Sequence, residues 1–161
     1  MVGKSDLLLV LGAMMIFSLL TVNVNSFLMR NSIIQVNSEL NFTAVSLAQN
    51  IIDVARTKAY DETTTNGSQP TLIPSGFSAI LGPENSETYS NYNDFDDYNN
   101  YTTKDTTDNG IYTAQVSVNY VTGLNYTQVS NTPTSYKRMV VKISNPSLKD
   151  TVRISFIKSY Y

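Results

Sequence analysis

The sequence predicts an α+β protein: a long N-terminal α-helix, apolar in its first half and amphipathic in its second, packs by that second half against a C-terminal antiparallel β-sheet. Three observations carry the prediction. From Leu7 to Leu20 only Gly12 and Ser18 interrupt an apolar run. From Arg30 to Ala59, apolar residues recur at Ile33, Val36, Leu40, Ala44, Leu47, Ile51 and Val54, stepping by three or four as one stripe of a helix does. Beyond residue 110, three segments alternate apolar and polar residues with the period of half-buried strands. The implied organisation is an apolar helix over 1–29 and a head over 30–161. The head divides into an amphipathic helix 30–59, polar loops 60–110 and antiparallel strands 111–161.

No proline precedes Pro70 and no glycine lies between Gly12 and Gly67. Nothing therefore forbids one helix from about Ser5 to Lys58, roughly 80 Å long at 1.5 Å per residue. So long a helix cannot be the core of a small globule, and its first half is expected to project. The weak point is Thr21-Val22-Asn23-Val24-Asn25-Ser26, where β-branched residues alternate with asparagines that compete for backbone hydrogen bonds. A local unwinding is expected there.

The apolar start admits three interpretations. A cleaved secretory signal would use Lys4 as its basic flank and Val24-Asn25-Ser26 as its cleavage site. Asp6 speaks against it, an acid where such signals want positive charge. A single-pass anchor explains the apolarity but not Asp6, since an acid at the edge of the hydrophobic zone is costly unless paired. The expectation is a retained helix that first resides in a membrane and then packs with copies of itself. Asp6 would meet Lys4 or the terminal amine of an adjacent copy and fix the axial register. Leu7, Leu8, Leu9, Leu11, Met15, Ile16, Phe17 and Leu20 would form the assembly surface.

In the head, residues 60–76 form a loop by their Gly, Pro and Asn content, and Phe77–Thr88 is short enough for one helix or strand. Residues 89–110 are polar, acidic and aromatic without period, a loop long enough to be functional or ordered by its own side chains. The strand candidates are 111–121, with Tyr112, Ala114, Val116, Val118 and Tyr120 on one face; 136–144, with Met139, Val141 and Ile143 opposite Arg138 and Lys142; and 150–161, with Val152, Ile154 and Phe156. Asn145-Pro146 starts the turn between the last two. The helical stripe Ile33–Val54 is the expected cover for the apolar face of this sheet.

Composition excludes several functions. The 161 residues carry a net charge of -2 and contain neither cysteine nor histidine. Disulfides, thiol nucleophiles, Ser-His-Asp triads and the usual zinc sites are ruled out. No basic stripe marks a nucleic-acid partner. No catalytic constellation and no phosphate loop is present, so no enzyme is expected. The densest group of oxygens is Asp94, Asp96 and Asp97 with Asn93 and Asn99, a candidate Ca²⁺ site because hard cations want several carboxylate and amide oxygens. Its spacing is not that of an EF-hand, and a solvated acidic loop is the plainer interpretation. No other cofactor is implied. Asp105–Gly110 either adds ligands or makes the turn before the first strand. Tyr89, Tyr92, Tyr98 and Tyr101 surround the acids, and packing of subunit contacts suits them better than electron hopping. The triplets beginning at Asn41, Asn66, Asn100 and Asn125 fit the glycosylation sequon.

The layout resembles type IV pilins and the pseudopilins of type II secretion systems. The likeness rests on LLLVLGAMMIFSLLTV, on the stripe from Ile33 to Val54 and on the strands after Ile111. It implies an extracellular, cell-surface filament of identical subunits, inserted in the cytoplasmic membrane before assembly and handled by secretion machinery. Surface glycans on Asn, Ser or Thr are a separate expectation from composition, and no site is assigned because a chain so rich in Asn, Ser and Thr yields such triplets by chance. Those families are cut after a glycine and carry a glutamate at the fifth mature position. Here Gly3 precedes Lys4, and the nearest acid is Asp6. The disulfide loop of many pilins is missing. The competing expectations are a membrane-tethered exported adaptor or minor pseudopilin, and a phage or virus coat subunit.

Overall fold

The computed structural model describes residues 3–67, 69–84 and 87–160. Met1, Ser68 of the Asn66 triplet and Tyr161 at the end of the last expected strand lie outside the described residues. The chain divides into two compact units, one up to Glu39 and one from Leu40 onward.

Helix α1 runs without interruption over Lys4–Arg56. The expected unwinding at Thr21–Ser26 does not occur: these residues are helical throughout. Thr21 satisfies its hydroxyl by donating to the Phe17 carbonyl one turn back, 2.8 Å away, and Ser32 does the same to Leu28 at 3.1 Å. Thr21 thus bonds along the helix instead of competing with it. At the start, Asp6 accepts a hydrogen bond from the Gly3 N–H at 3.1 Å. An acid in the first turn satisfies one of the unpaired amides and complements the helix dipole. Asp6 thus has a role within its own chain, beside the pairing between copies expected of it. At the other end, the helix stops three residues earlier than expected. Lys158 closes it by donating to the Arg56 carbonyl at 2.9 Å and to the Lys58 carbonyl, where a cation is favoured by the dipole.

The sheet is antiparallel and contains β1 (Thr102–Thr107), β2 (Gly110–Thr122), β3 (Asn125–Val129), β4 (Tyr136–Ser144) and β5 (Val152–Ser159). The order is β1-β2-β4-β5, with β3 also paired to β2. The three expected strands are β2, β4 and β5. Strand β1 falls inside the segment assigned to polar loops, and β3 was not expected. Both lack apolar alternation: every residue of β3 is exposed, and β1 is exposed or half-buried. They are strands because β2 offers them backbone partners, not because they bury a face. The Thr107–Gly110 closure confirms a turn before β2, with Gly110 at φ 104°. No helix or strand forms within the described part of Phe77–Thr88.

Register aligns the buried face in rows. Ala114, Ile143 and Val152 are neighbours across three strands; so are Val116, Val141 and Ile154, and so are Val118, Met139 and Phe156. The C-terminal part of α1 covers these rows with Leu40, Ala44, Ala48, Ile51, Ile52 and Ala55, all buried. Three alanines in that list let the helix approach the sheet closely. The stripe covers the sheet only in part: Ile33 and Val36 stand 58% and 55% exposed, Val54 is exposed as well, and the cover runs from Leu40 with Ala48, Ile52 and Ala55 in place of those residues. This is the long-helix-on-antiparallel-sheet, pilin-like architecture. Removing buried volume should be costly: Ile52→Ala is expected to destabilise the head by about 2–5 kcal/mol, and Ile33→Ala to change it by less than about 0.5 kcal/mol, measured by denaturant unfolding in detergent.

Candidate functional site

Two places carry chemistry or unsatisfied surface. The first is the N-terminal stretch of α1. Leu7, Leu8, Leu9, Leu11, Met15, Ile16, Phe17 and Leu20 are exposed by 48–73%, and Lys4 and Asp6 are exposed as well. Apolar exposure does not stop at Leu20. It continues through Val22, Val24, Phe27, Leu28, Met29, Ile33 and Ile34 to Val36. The helix is long and apolar enough to cross a membrane.

The second place is the acidic loop. Asp94, Asp96 and Asp97 are buried, so the solvated-loop expectation is corrected: the carboxylates turn inward to hold the backbone of their own loop. Asp94 Oδ1 accepts from the N–H groups of Asp96 (2.8 Å) and Asp97 (3.1 Å). Asp97 Oδ2 accepts from those of Asn93 (2.8 Å) and Asp94 (3.0 Å). The loop is further pinned by Asn99, which donates to the Leu81 carbonyl at 3.1 Å and accepts from the Val118 N–H at 2.9 Å.

Asp96 points elsewhere, to Lys137. The Lys137 ammonium is fully buried and donates to the Asp61 carboxylate (2.8 Å), to the Tyr60 carbonyl (2.8 Å) and to Asp96. It lies over the rings of Tyr60 and Tyr120, 4.7 and 5.2 Å from their centroids. Asp61 collects further donors: Thr63 Oγ1 at 2.8 Å, the Ser78 N–H at 3.1 Å and the Tyr120 hydroxyl at 3.1 Å. Burial alone would raise the Asp61 carboxyl, but Lys137 and these hydrogen bonds hold it below its ordinary value. Lys137 was not singled out from the sequence, although a signal existed. It stands two residues before Met139, so strict alternation along 136–144 already places it on the buried face.

The calcium candidates are thus redistributed. Asp96 is committed to Lys137, while Asp94 and Asp97 gather with glutamates that the sequence reading did not include. Glu62, Glu84 and Asp94 bring carboxylate oxygens within 4.8 Å of one another, and so do Glu84, Glu87 and Asp97. Burial, with the charges of Asp96 and Asp97, pushes Asp94 up to about 8. Burial, with the charges of Asp97, Glu62 and Glu87, pushes Glu84 up to about 7. Glu87 is raised for the same reasons, burial first and Asp97 next.

The tyrosines pack on one another: Tyr89 stacks on Tyr101 at 4.7 Å, and Tyr92 and Tyr98 meet them edge-on. Of the sequon asparagines, Asn41, Asn66, Asn100 and Asn125 are all exposed, Asn41 on α1. Comparison with family models, with curated proteins and with solved structures finds no match to this chain.

Two outcomes follow. Lys137→Met should destabilise the head by about 3–5 kcal/mol, because it leaves buried carboxylates without their cation; thermal and denaturant unfolding measure this. With divalent cations chelated, the melting temperature should fall as pH rises from about 5 to about 8. Folded Glu84 and Asp94 bind protons over that window that the unfolded chain has already released, so stability declines with pH. Lys158, held down to about 8 by burial, contributes the opposite slope only above that pH.

Proposed function

We propose that this chain is the repeating subunit of an extracellular, pilus-like helical filament, held in the cytoplasmic membrane by its N-terminal helix before assembly and bundled through that helix afterwards. The observation that carries the reading is the extent of apolar exposure on α1. Leu7 to Val36 spans about 45 Å at 1.5 Å per residue, whereas the hydrocarbon core of a bilayer is about 30 Å thick. A lone anchor would leave one end of that apolar surface in water. Sister helices, staggered along a fibre, would cover all of it. Each large side chain removed from water contributes about 1.5–3 kcal/mol, so the driving force is large.

The head's architecture supports the same reading, since a helix fixed at its C-terminal part by a sheet presents its other part for packing. In this role the protein acts structurally and not as an enzyme, and needs no nucleic acid. Asp6 keeps its cap on Gly3 in the single subunit, and its charge is available to Lys4 of a neighbour in the fibre. A tethered adaptor or minor pseudopilin of the same architecture would remain with membranes at low copy number.

Shearing cells and imaging the supernatant tests the proposal: fibres containing this polypeptide are expected. The double variant Ile33→Asn with Val36→Asn should still insert in the membrane and keep a normal head melting temperature, yet lose fibres. Asp6→Asn keeps a cap acceptor but removes the charge, and should lower fibre yield. Normal fibres from both variants would refute the bundled-helix account.

A further inference from the structure

We propose that Glu62, Glu84, Glu87, Asp94 and Asp97 form a Ca²⁺-binding basin that ties the segment after α1 to the loop ending at Asp97. Proximity of acids alone does not make a site. The second observation is a set of orphaned, buried oxygens. Asp94 Oδ2, Asp97 Oδ1, Glu62 Oε2, Glu87 Oε2 and the Asn93 amide oxygen have no hydrogen-bond partner among the described residues. Asp94 and Asp97 are 1% and 0% exposed. An unpaired buried carboxylate oxygen costs free energy that only a cation, a proton or a donor can recover.

The two aspartates are built for this use. Each is fixed by one oxygen to two backbone amides of its own loop, which leaves the other oxygen aimed into the basin at no further ordering cost. Glu84 belongs to both triads and is the exposed member, so the basin opens to solvent on its side. Nearby lysines are committed elsewhere. Lys137 spends its three donors on Tyr60, Asp61 and Asp96. Lys58 donates to the Tyr92 carbonyl at 2.6 Å, and Lys158 to the end of α1. Among the described residues no lysine or arginine forms an ion pair with a basin carboxylate, although Lys137 lies near enough to favour the charged form of Asp94.

The donor set selects the ion. All candidate ligands are oxygens, which suits a hard cation and not a thiophilic or imidazole-preferring metal. Within each triad the carboxylate oxygens lie within 4.8 Å of one another, close enough to share one hard cation. Mg²⁺ demands near-ideal octahedral geometry and dehydrates reluctantly, whereas Ca²⁺ accepts a larger and less regular set of oxygens, so carboxylates gathered from two segments favour Ca²⁺.

This inference does not depend on polymerisation, and its test uses the full chain in detergent micelles, stripped with a chelator. Calorimetric titration with CaCl₂ should show saturable binding at a Kd of about 1 mM or tighter, the range of extracellular calcium modules, and Ca²⁺ should raise the melting temperature. MgCl₂ should bind at least about tenfold more weakly. Glu84→Gln, at the exposed lip, should weaken Ca²⁺ at least about tenfold while its circular dichroism and calcium-free melting temperature are no lower than those of the parent. Absence of saturable uptake up to about 10 mM Ca²⁺, equal affinity for Mg²⁺, or unchanged affinity in Glu84→Gln would overturn the assignment.

Discussion

The Lys137 ammonium joins three parts of the head that share no local sequence. Strand β4 supplies the lysine, the segment just after α1 supplies Asp61 and the Tyr60 carbonyl, and the turn at Asp96–Tyr98 supplies the third acceptor. A charged amine at zero exposure is tolerable only because each of its protons has an acceptor and two aromatic rings present their electron-rich faces to it. A well-packed apolar substitute for the whole group could be as stable, so the ionic cluster is better understood as fixing geometry. It determines where the chain goes once the helix ends, while Asp94 and Asp97 hold the amides of their own loop.

Consequences run outward from that cluster. With Asp96 drawn to the lysine, the loop folds into a short turn whose amides are held by Asp94 and Asp97. That turn carries Phe95 and Tyr98 into the core beside Met139 and the end of α1. Lys158 stands beside Lys137 in the same cross-strand row and performs the complementary task of closing the helix. One row of the sheet thus holds two inward lysines, one neutralised by carboxylates and the other by helix-terminal carbonyls. The aliphatic rows next to them supply the hydrophobic burial.

The N-terminal stretch obeys a different constraint. Between Leu7 and Val36 the helix buries nothing, although it is apolar on all sides in its first turns. Its stability as a helix rests on backbone bonding, on the Asp6 cap and on hydroxyls that donate one turn back. Under the proposed function, lipid and then sister helices would cover this segment. The head requires neither, because its core closes between Leu40 and the sheet.

Periodicity made much of this legible. The steps of three and four from Leu40 onward and the alternation in β2, β4 and β5 are consequences of side-chain direction along a helix and a strand, which local sequence encodes directly. The apolar run likewise announced a helix, and the head leaves it uncovered. Tertiary structure decided the rest. Ile33 and Val36 belong to the same stripe as Leu40, and only the reach of the sheet separates exposed from buried. β1 and β3 carry no face to bury, so only the free edge and bulge of β2 could recruit them. The acidic loop resembled a solvated one because charge is hydrophilic in isolation. Whether a carboxylate turns inward depends on which amides and which ammonium lie within reach, and the ammonium that draws in Asp96 comes from 41 residues away.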